Sequence, residues 1–257
     1  MRTMVDESPQ RPKTIVPQQL TARLIDTVVL NEKFTMLRFE LIQPHNFSFI
    51  SGQYLSIKVN ERGERRSYSI TSTPDNAHGF ELLADVTPQG LGSQFLQQLK
   101  IGDTVSCLGP LGRFTLDTSG AEKALQFIAT GSGIAPFYSM LFDLLQNQHD
   151  ARKITLYWGL RYATDLCLQD NLQELAQAFP NFHFHPVLSQ AVQEWPLCRG
   201  RVMDCLSVHE RPEQAGYYLC GNHQMVIDMQ SLLQSWGIEP SRIHSEKFSS
   251  SAPAKQP

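Results

Sequence analysis

Apolar and polar positions follow two different rhythms along this chain, and the change falls near residue 120. From Thr21 to Leu116, short apolar-rich runs succeed one another: TARLIDTVVL, FTMLRFELI, YLSIKV, RSYSIT and FELLADV. Turn signals such as PHN, ERGE and PDNAHG separate them. Runs of this length between turn residues read as strands, and such a series predicts a small closed antiparallel barrel. One stretch, Leu91 to Leu99, reads as helix instead. After a DTSGAEK linker, ALQFIAT, KITLYWG, FHFHPVL and YYLC read as buried strands. Between and after them, three groups recur at helical spacing: Phe137, Leu141, Leu144 and Leu145; Leu172, Leu175, Ala176 and Phe179; and Met225, Val226, Met229, Leu232, Leu233 and Trp236. Alternating strands and helices predict a parallel sheet covered on both faces. The expected architecture is therefore two-domain, an antiparallel β-barrel over residues 17–118 followed by an α/β parallel-sheet domain over 123–248, with polar tails at 1–16 and 249–257.

Composition narrows the function classes. With 257 residues, 41% of them hydrophobic and 18% charged, the chain has enough apolar material for two buried cores and too little charge for a disordered polymer. Lys and Arg number 22 against 25 Asp and Glu, a formal charge of −3 with no basic run, which argues against a nucleic-acid partner. No apolar window approaches the roughly 20 residues that span a bilayer, and the first twenty residues lack a signal-peptide core. A cytoplasmic protein with no membrane insertion is expected. The five cysteines contain no CxxC pair, so reduced thiols are expected, Cys198 and Cys205 among them. The same spacing argues against a cysteine-ligated iron–sulfur cluster or a structural zinc in this chain.

Three segments carry candidate chemistry. In ATGSGIAPF a strand runs through a glycine turn into a helix. Gly131 and Gly133 would admit a close ligand, the helix start offers free amides to a pyrophosphate, and Pro136 suits the first helical turn. The segment lacks the full GxGxxG fingerprint, and glycines at such a corner also serve tight packing. In RRSYSI, Arg66, Tyr68 and Ser69 offer a cation for phosphates, an aromatic face and a hydroxyl, the set a flavin needs. QGLGSQFL places Gly90, Gly92 and Ser93 at another helix start, again an anion site. In YYLCGNHQMV a buried strand ends at Cys220, Gly221 and Asn222. Ligands of open parallel sheets bind at the carboxyl ends of strands, so this corner should face the crevice of Gly131; a buried cysteine is otherwise an ordinary small hydrophobe.

Taken in order, RxYS (Arg66–Ser69), GxxS (Gly90–Ser93), GPLGRF (Gly109–Phe114), TGSGIAPF (Thr130–Phe137), CGN (Cys220–Asn222) and EKF (Glu246–Phe248) resemble the ferredoxin–NADP reductase superfamily over about residues 20 to 248. CGNHQM and RYATDL are similar to bacterial ferredoxin or flavodoxin reductases, whereas GPLGRF, LYWGLR, HPVLS and the EKF end are similar to oxygenase reductase components. The resemblance implies FAD in the barrel domain and NAD(P)H in the α/β domain. It implies that Arg66 binds the FAD pyrophosphate with Gly90, Gly92 and Ser93, that Tyr68 packs on the isoalloxazine, and that Ser69 sits near the nitrogen that accepts hydride. Thr130, Gly131, Gly133, Pro136 and Gly221 would line the nicotinamide dinucleotide site. Cys220 would lie by the reacting carbon with Glu246 nearby, and Phe248 would cover the flavin. The catalytic set is then Ser69, Cys220 and Glu246, with no metal.

The function so implied is electron transfer between NAD(P)H and a one-electron carrier, either ferredoxin, flavodoxin or a separate iron–sulfur protein. The alternatives are an NADH-dependent oxygenase reductase component, an NAD(P)H:flavin reductase, and a cofactor-binding regulatory subunit without turnover. The resemblance places a 2′-phosphate pocket at Arg161 and around Gln190, Arg199 and Arg201, with Arg161 and Arg201 as its cations. A glutamine where NADP-dependent relatives often carry arginine leads us to expect that both coenzymes work. His183 and His185 alternate on a strand without a third ligand at local spacing and read as a polar strand face; Lys58, Arg62 and Arg65 read as a solubilising rim.

Overall fold

The computed structural model describes residues 15–248, so all of the expected tails except residues 15 and 16 lies outside the described residues. Six strands make up the first half: β1 (Gln18–Val29), β2 (Phe34–Gln43), β3 (Tyr54–Lys58), β4 (Arg65–Ser69), β5 (Gly79–Asp85) and β6 (Thr104–Leu111). They pair antiparallel in the order β4-β3-β6-β1-β2-β5. A bridge between Ile70 and Leu82 joins the two outer edges and brings the sheet round on itself. Period-two patterning explains the inside: on β1, Leu20, Ala22 and Leu24 are buried while Gln19, Arg23 and Ile25 are exposed. Phe39 and Phe80 stack across this core with ring centroids 5.0 Å apart. The one expected helix, α1 (Leu91–Gln98), lies between β5 and β6.

The second half is a fully parallel sheet, β10-β9-β8-β7-β11-β12. Its strands are β7 (Ala124–Thr130), β8 (Lys153–Leu160), β9 (Phe182–Leu188), β10 (Cys198–Arg199), β11 (Ala215–Asn222) and β12 (Ile243–Phe248). Two helices, α2 (Ile134–Phe142) and α3 (Gln169–Ala178), cover one face through Phe137, Leu141, Leu172 and Leu175. On the other face, α4 (Val202–Val208) and α5 (His223–Ser235) pack through Val202, Leu206, Val226, Met229 and Leu233. Strand order reverses between β7 and β11, so their carboxyl ends flank a crevice at the switch point. After α2 the chain makes one wider π turn over Asp143–Asn147, which leaves both Leu144 and Leu145 buried. Among the described residues, no helix is long and apolar enough to cross a membrane.

The two halves share a core. Phe34, Met36, Leu83 and Phe114 of the barrel join the α/β cluster, where Phe114 packs edge-on to Phe137 at 5.6 Å. Ser139 donates to the Ser72 carbonyl at 2.7 Å, and Ser51 to the Asp143 carboxylate at 2.9 Å. The DTSGAEK segment, expected as a linker, is pinned. Its Glu122 is 3% exposed, accepts from the Tyr218 hydroxyl at 2.7 Å, and pairs with His244 Nε2 at 2.8 Å. A burial so complete for a carboxylate requires such partners.

One expectation is overturned. Cys198 and Cys205 are not free thiols but a disulfide, with Cα atoms 5.7 Å apart. The turn from β10 into α4 folds the chain back within seven residues. Local spacing does not reveal this pairing, because a strand end and a helix face must first be placed together. Cys107, Cys167 and Cys220 are free.

Candidate functional site

A crevice of about 1320 Å³ runs between the halves, lined by the barrel strand β4, the start of α1, and the carboxyl ends of β7, β8 and β11. On β4, alternation sends Arg66 and Tyr68 to one side and Ser69 to the other. Arg66 and Tyr68 lie against the start of α1, where a Cβ on Gly92 would collide with the Tyr68 hydroxyl and the Arg66 side chain. Glycine is therefore required for the helix to approach the strand so closely. Gly90 at the N-cap provides no side-chain cap, which leaves the amides of the first turn of this eight-residue helix free for an anion. The Ser93 hydroxyl is committed to backbone carbonyls, donating to Gly90 at 2.9 Å. Burial pushes the Tyr68 hydroxyl up to about 12 against the opposing pull of Arg66, so the phenol is neutral.

Across the crevice, β7 ends at Thr130 and passes through a 3-10 turn, Gly131–Gly133, into α2. Trp158 Nε1 holds the Gly131 carbonyl at 2.9 Å, and Thr130 Oγ1 accepts from the Asn222 amide at 3.0 Å. The β11 corner crosses this turn tightly. A Cβ on Gly133 would strike the backbone of Cys220, and Gly221, at φ +133°, lies against Thr130. Gly133 and Pro136 are buried and do not line the crevice, so their place is in packing the turn, the alternative open for such glycines. Thr130, Gly131, Gly221, Arg161, Arg201 and Phe248 all line it.

Ser69 of the barrel approaches Glu246, the register neighbour of Cys220 in the α/β half, and of the three only Ser69 lines the crevice. Cys220 sits opposite Glu246 in the β11–β12 register, and the Ser69 hydroxyl donates to Glu246 Oε2 at 3.4 Å. Cys220 is fully buried; burial, reinforced by the Glu246 charge, holds its thiol well above the usual range and keeps it protonated. Burial likewise pushes the Glu246 carboxyl up to about 7, partly offset by the Ser69 hydrogen bond. The cluster thus contains a neutral hydroxyl, a neutral thiol and a carboxyl able to hold or release a proton near neutrality.

Of the arginines proposed for a 2′-phosphate pocket, Arg161 and Arg201 line the crevice, and neither forms an ion pair among the described residues. Arg199 is turned away, donating through Nη2 to the Trp195 carbonyl at 2.7 Å. Arg62, assigned to a solubilising rim, lines the crevice, as do His223 and Met225 of the CGNHQM motif and Lys33, which no sequence motif marks.

With this geometry in place, the relatives are informative. Residues 21–116 match the family described as "Oxidoreductase FAD-binding domain" and residues 127–231 the one described as "Oxidoreductase NAD-binding domain". The chain is 32% identical over 209 residues to the anthranilate 1,2-dioxygenase electron transfer component of Acinetobacter baylyi, covering 80% of this chain and 60% of that protein's length. It is 31% identical over 237 residues to the aromatic O-demethylase reductase subunit of Amycolatopsis, covering 90% of this chain and 70% of the relative. The solved structure of an Amycolatopsis cytochrome P450 reductase superposes with a TM-score of 0.85 at 28% identity, covering 93% of this chain and 72% of that one. Fold, motif order and these matches place the chain in the ferredoxin–NADP reductase superfamily, with an FAD-binding barrel followed by an NAD-binding α/β domain.

Proposed function

We propose that this protein is an FAD-dependent oxidoreductase that moves electrons between NAD(P)H and a one-electron protein carrier, such as a ferredoxin, a flavodoxin or a separate iron–sulfur protein, in the cytoplasm. The observation that carries this reading is a crevice lined by Arg66, Tyr68, Ser69 and Gly92 in which Ser69 is hydrogen-bonded to Glu246, the register neighbour of the buried Cys220.

The residues fit the cofactors. The α1 approach that only glycine permits at position 92, together with the uncapped first turn and Arg66, forms a cradle for a pyrophosphate. Tyr68 presents an aromatic face to the same cavity, while Thr130, Gly131 and Gly221 form the strand-end corner typical of dinucleotide sites. FAD, when bound, supplies the two-electron exchange with a nicotinamide and the one-electron release to a carrier. The chain's own residues bind, orient and exclude water. Ser69 donates a hydrogen bond, the Cys220 thiol packs without charge, Glu246 holds a proton beside Ser69, and Phe248 closes the crevice at the β12 end. Gly92, Gly90 and Ser93 act through backbone amides. Arg161 and Arg201 are the cations for a 2′-phosphate, and Gln190 supplies no third, so NADPH and NADH are both substrates.

A second reading, that the carrier belongs to an oxygenase, is favoured by the names of the sequence relatives, an electron transfer component of a dioxygenase and a reductase subunit of an O-demethylase. Purified protein tests both. Retained FAD with NAD(P)H-dependent ferricyanide reduction supports the oxidoreductase, and a panel of ferredoxin, flavodoxin and oxygenase iron–sulfur proteins identifies the carrier class. FAD retention without turnover refutes it in favour of a binding subunit.

A further inference from the structure

Away from the crevice, on the outer edge of the parallel sheet, Cys198, Cys205 and His209 bring two sulfurs and a ring nitrogen within 4.8 Å of one another. Cys205 lies on α4 and His209 caps that helix, an i, i+4 spacing that puts both on one helix face. The imidazole is held beside the sulfurs, with Nδ1 at 2.7 Å from the Cys205 carbonyl and 3.9 Å from Cys205 Sγ. Cys198 arrives from β10, the edge strand paired with β9. His185 of β9 faces the same place, its ring centroid 4.3 Å from that of His209. Beside them is a surface cavity of about 370 Å³, lined by Phe184, His185, Pro196 and Leu197 as well as Cys198 and His209. This is an entry path to donors of which Cys205 is almost fully buried and Cys198 and His209 are half-buried.

We propose that Cys198, Cys205 and His209 supply the three protein donors of a Zn²⁺ site, and that the ion and the Cys198–Cys205 disulfide are alternative states of that one site. Two thiolates and an imidazole are the soft and borderline donors zinc selects, a set with no carboxylate that leaves the fourth position to water from the cavity. A structural thiolate site of this type needs its sulfurs apart and deprotonated, whereas the disulfide joins them, so the two states exclude each other. Reduction by a dithiol breaks the S–S bond with two electrons and two protons and leaves the reductant as its own disulfide. Binding of Zn²⁺ to the two sulfurs then releases two protons to solvent. His183 is exposed and His185 half-buried on β9, as expected for a polar strand face, and the His185 ring packs beside His209 as a wall of the site.

The test uses the whole protein, reduced with dithiothreitol, desalted under argon and titrated with Co²⁺ as a spectroscopic probe for zinc. The expected result is one Co²⁺ per chain with thiolate-to-cobalt charge-transfer absorption and the intense visible bands of a tetrahedral site, displaced by equimolar Zn²⁺. The oxidised protein should show no such bands, a comparison that does not depend on any variant folding. His209→Ala should weaken Co²⁺ binding at least about 10-fold, and the Cys198→Ser, Cys205→Ser double variant should lose the charge-transfer band. Reduced protein without that band, or a double variant that retains it, overturns the proposal. So does unchanged affinity in the His209→Ala variant.

Discussion

Replacing Glu246 by glutamine should change how stability depends on pH. In the folded protein, burial pushes the Glu246 carboxyl from its ordinary value of 4.5 to about 7. The folded state therefore keeps a proton that the unfolded chain gives up between those two values. A raised folded value means that this group's stabilisation is complete below pH 4.5 and is lost as pH rises through 7. The full displacement corresponds to about 3 kcal/mol, and between about pH 5 and about pH 8 the loss should be about 2.5 kcal/mol. Glu246→Gln keeps the shape and the Ser69 contact but cannot ionise, so its stability should lack this fall. The assay is urea unfolding of flavin-free wild type and variant at both pH values, followed by tryptophan fluorescence, because titrations elsewhere in the chain cancel in the difference. Parallel pH profiles for the two proteins would refute the assignment of a proton to Glu246 near neutrality.

Other consequences are independent of this one. Tyr68→Phe should retain FAD while Tyr68→Ser weakens it by about 0.5–1.5 kcal/mol beyond lost area, as measured by fluorescence titration; equal retention would remove the ring from the flavin site. Gly92→Ala should reduce FAD affinity because the new Cβ meets the Tyr68 hydroxyl, and Tyr68→Phe should recover part of the loss in the double variant. Glu122→Ala leaves the buried Tyr218 hydroxyl and His244 without their shared partner and should cost about 3 kcal/mol in urea unfolding. Arg161→Ala combined with Arg201→Ala should raise KM for NADPH about 10-fold more than KM for NADH, a difference of about 1.4 kcal/mol from lost charge-assisted contacts. An equal change for both coenzymes would place the 2′-phosphate elsewhere.

Where one periodicity governs a segment, the sequence is a sufficient guide. Val226, Met229 and Leu233 recur at helical spacing and are all buried on α5, while Leu20, Ala22 and Leu24 alternate into the barrel. The crevice corners were visible in the sequence as glycines placed where a strand runs into a helix, at Gly90, Gly92 and Gly131. That patterning could not separate a glycine that lines a cavity from one that lets two backbones cross, and Gly133 proved to be the second kind. β12 escapes such reading because IHSEKF is a half-buried strand without an apolar run. Glu122 escapes because one carboxylate in a Ser- and Gly-bearing stretch looks like solvated linker until Tyr218 and His244 close over it. The Cys198–Cys205 pair and Arg199 depend on a turn between two short elements, where orientation is decided by tertiary packing and not by local pattern.

Direct reduction of a crevice-bound flavin by a nicotinamide beside Ser69 is the step on which the proposed electron transfer depends. Its most direct test is anaerobic mixing of the FAD-loaded protein with NADH and, separately, with NADPH while flavin absorbance is recorded, for wild type and for Ser69→Ala. Rapid loss of oxidised-flavin absorbance is expected in the wild type, and slower loss in Ser69→Ala with FAD still bound. Bound FAD that neither coenzyme reduces, or a Ser69→Ala variant reduced as fast as wild type, would contradict it.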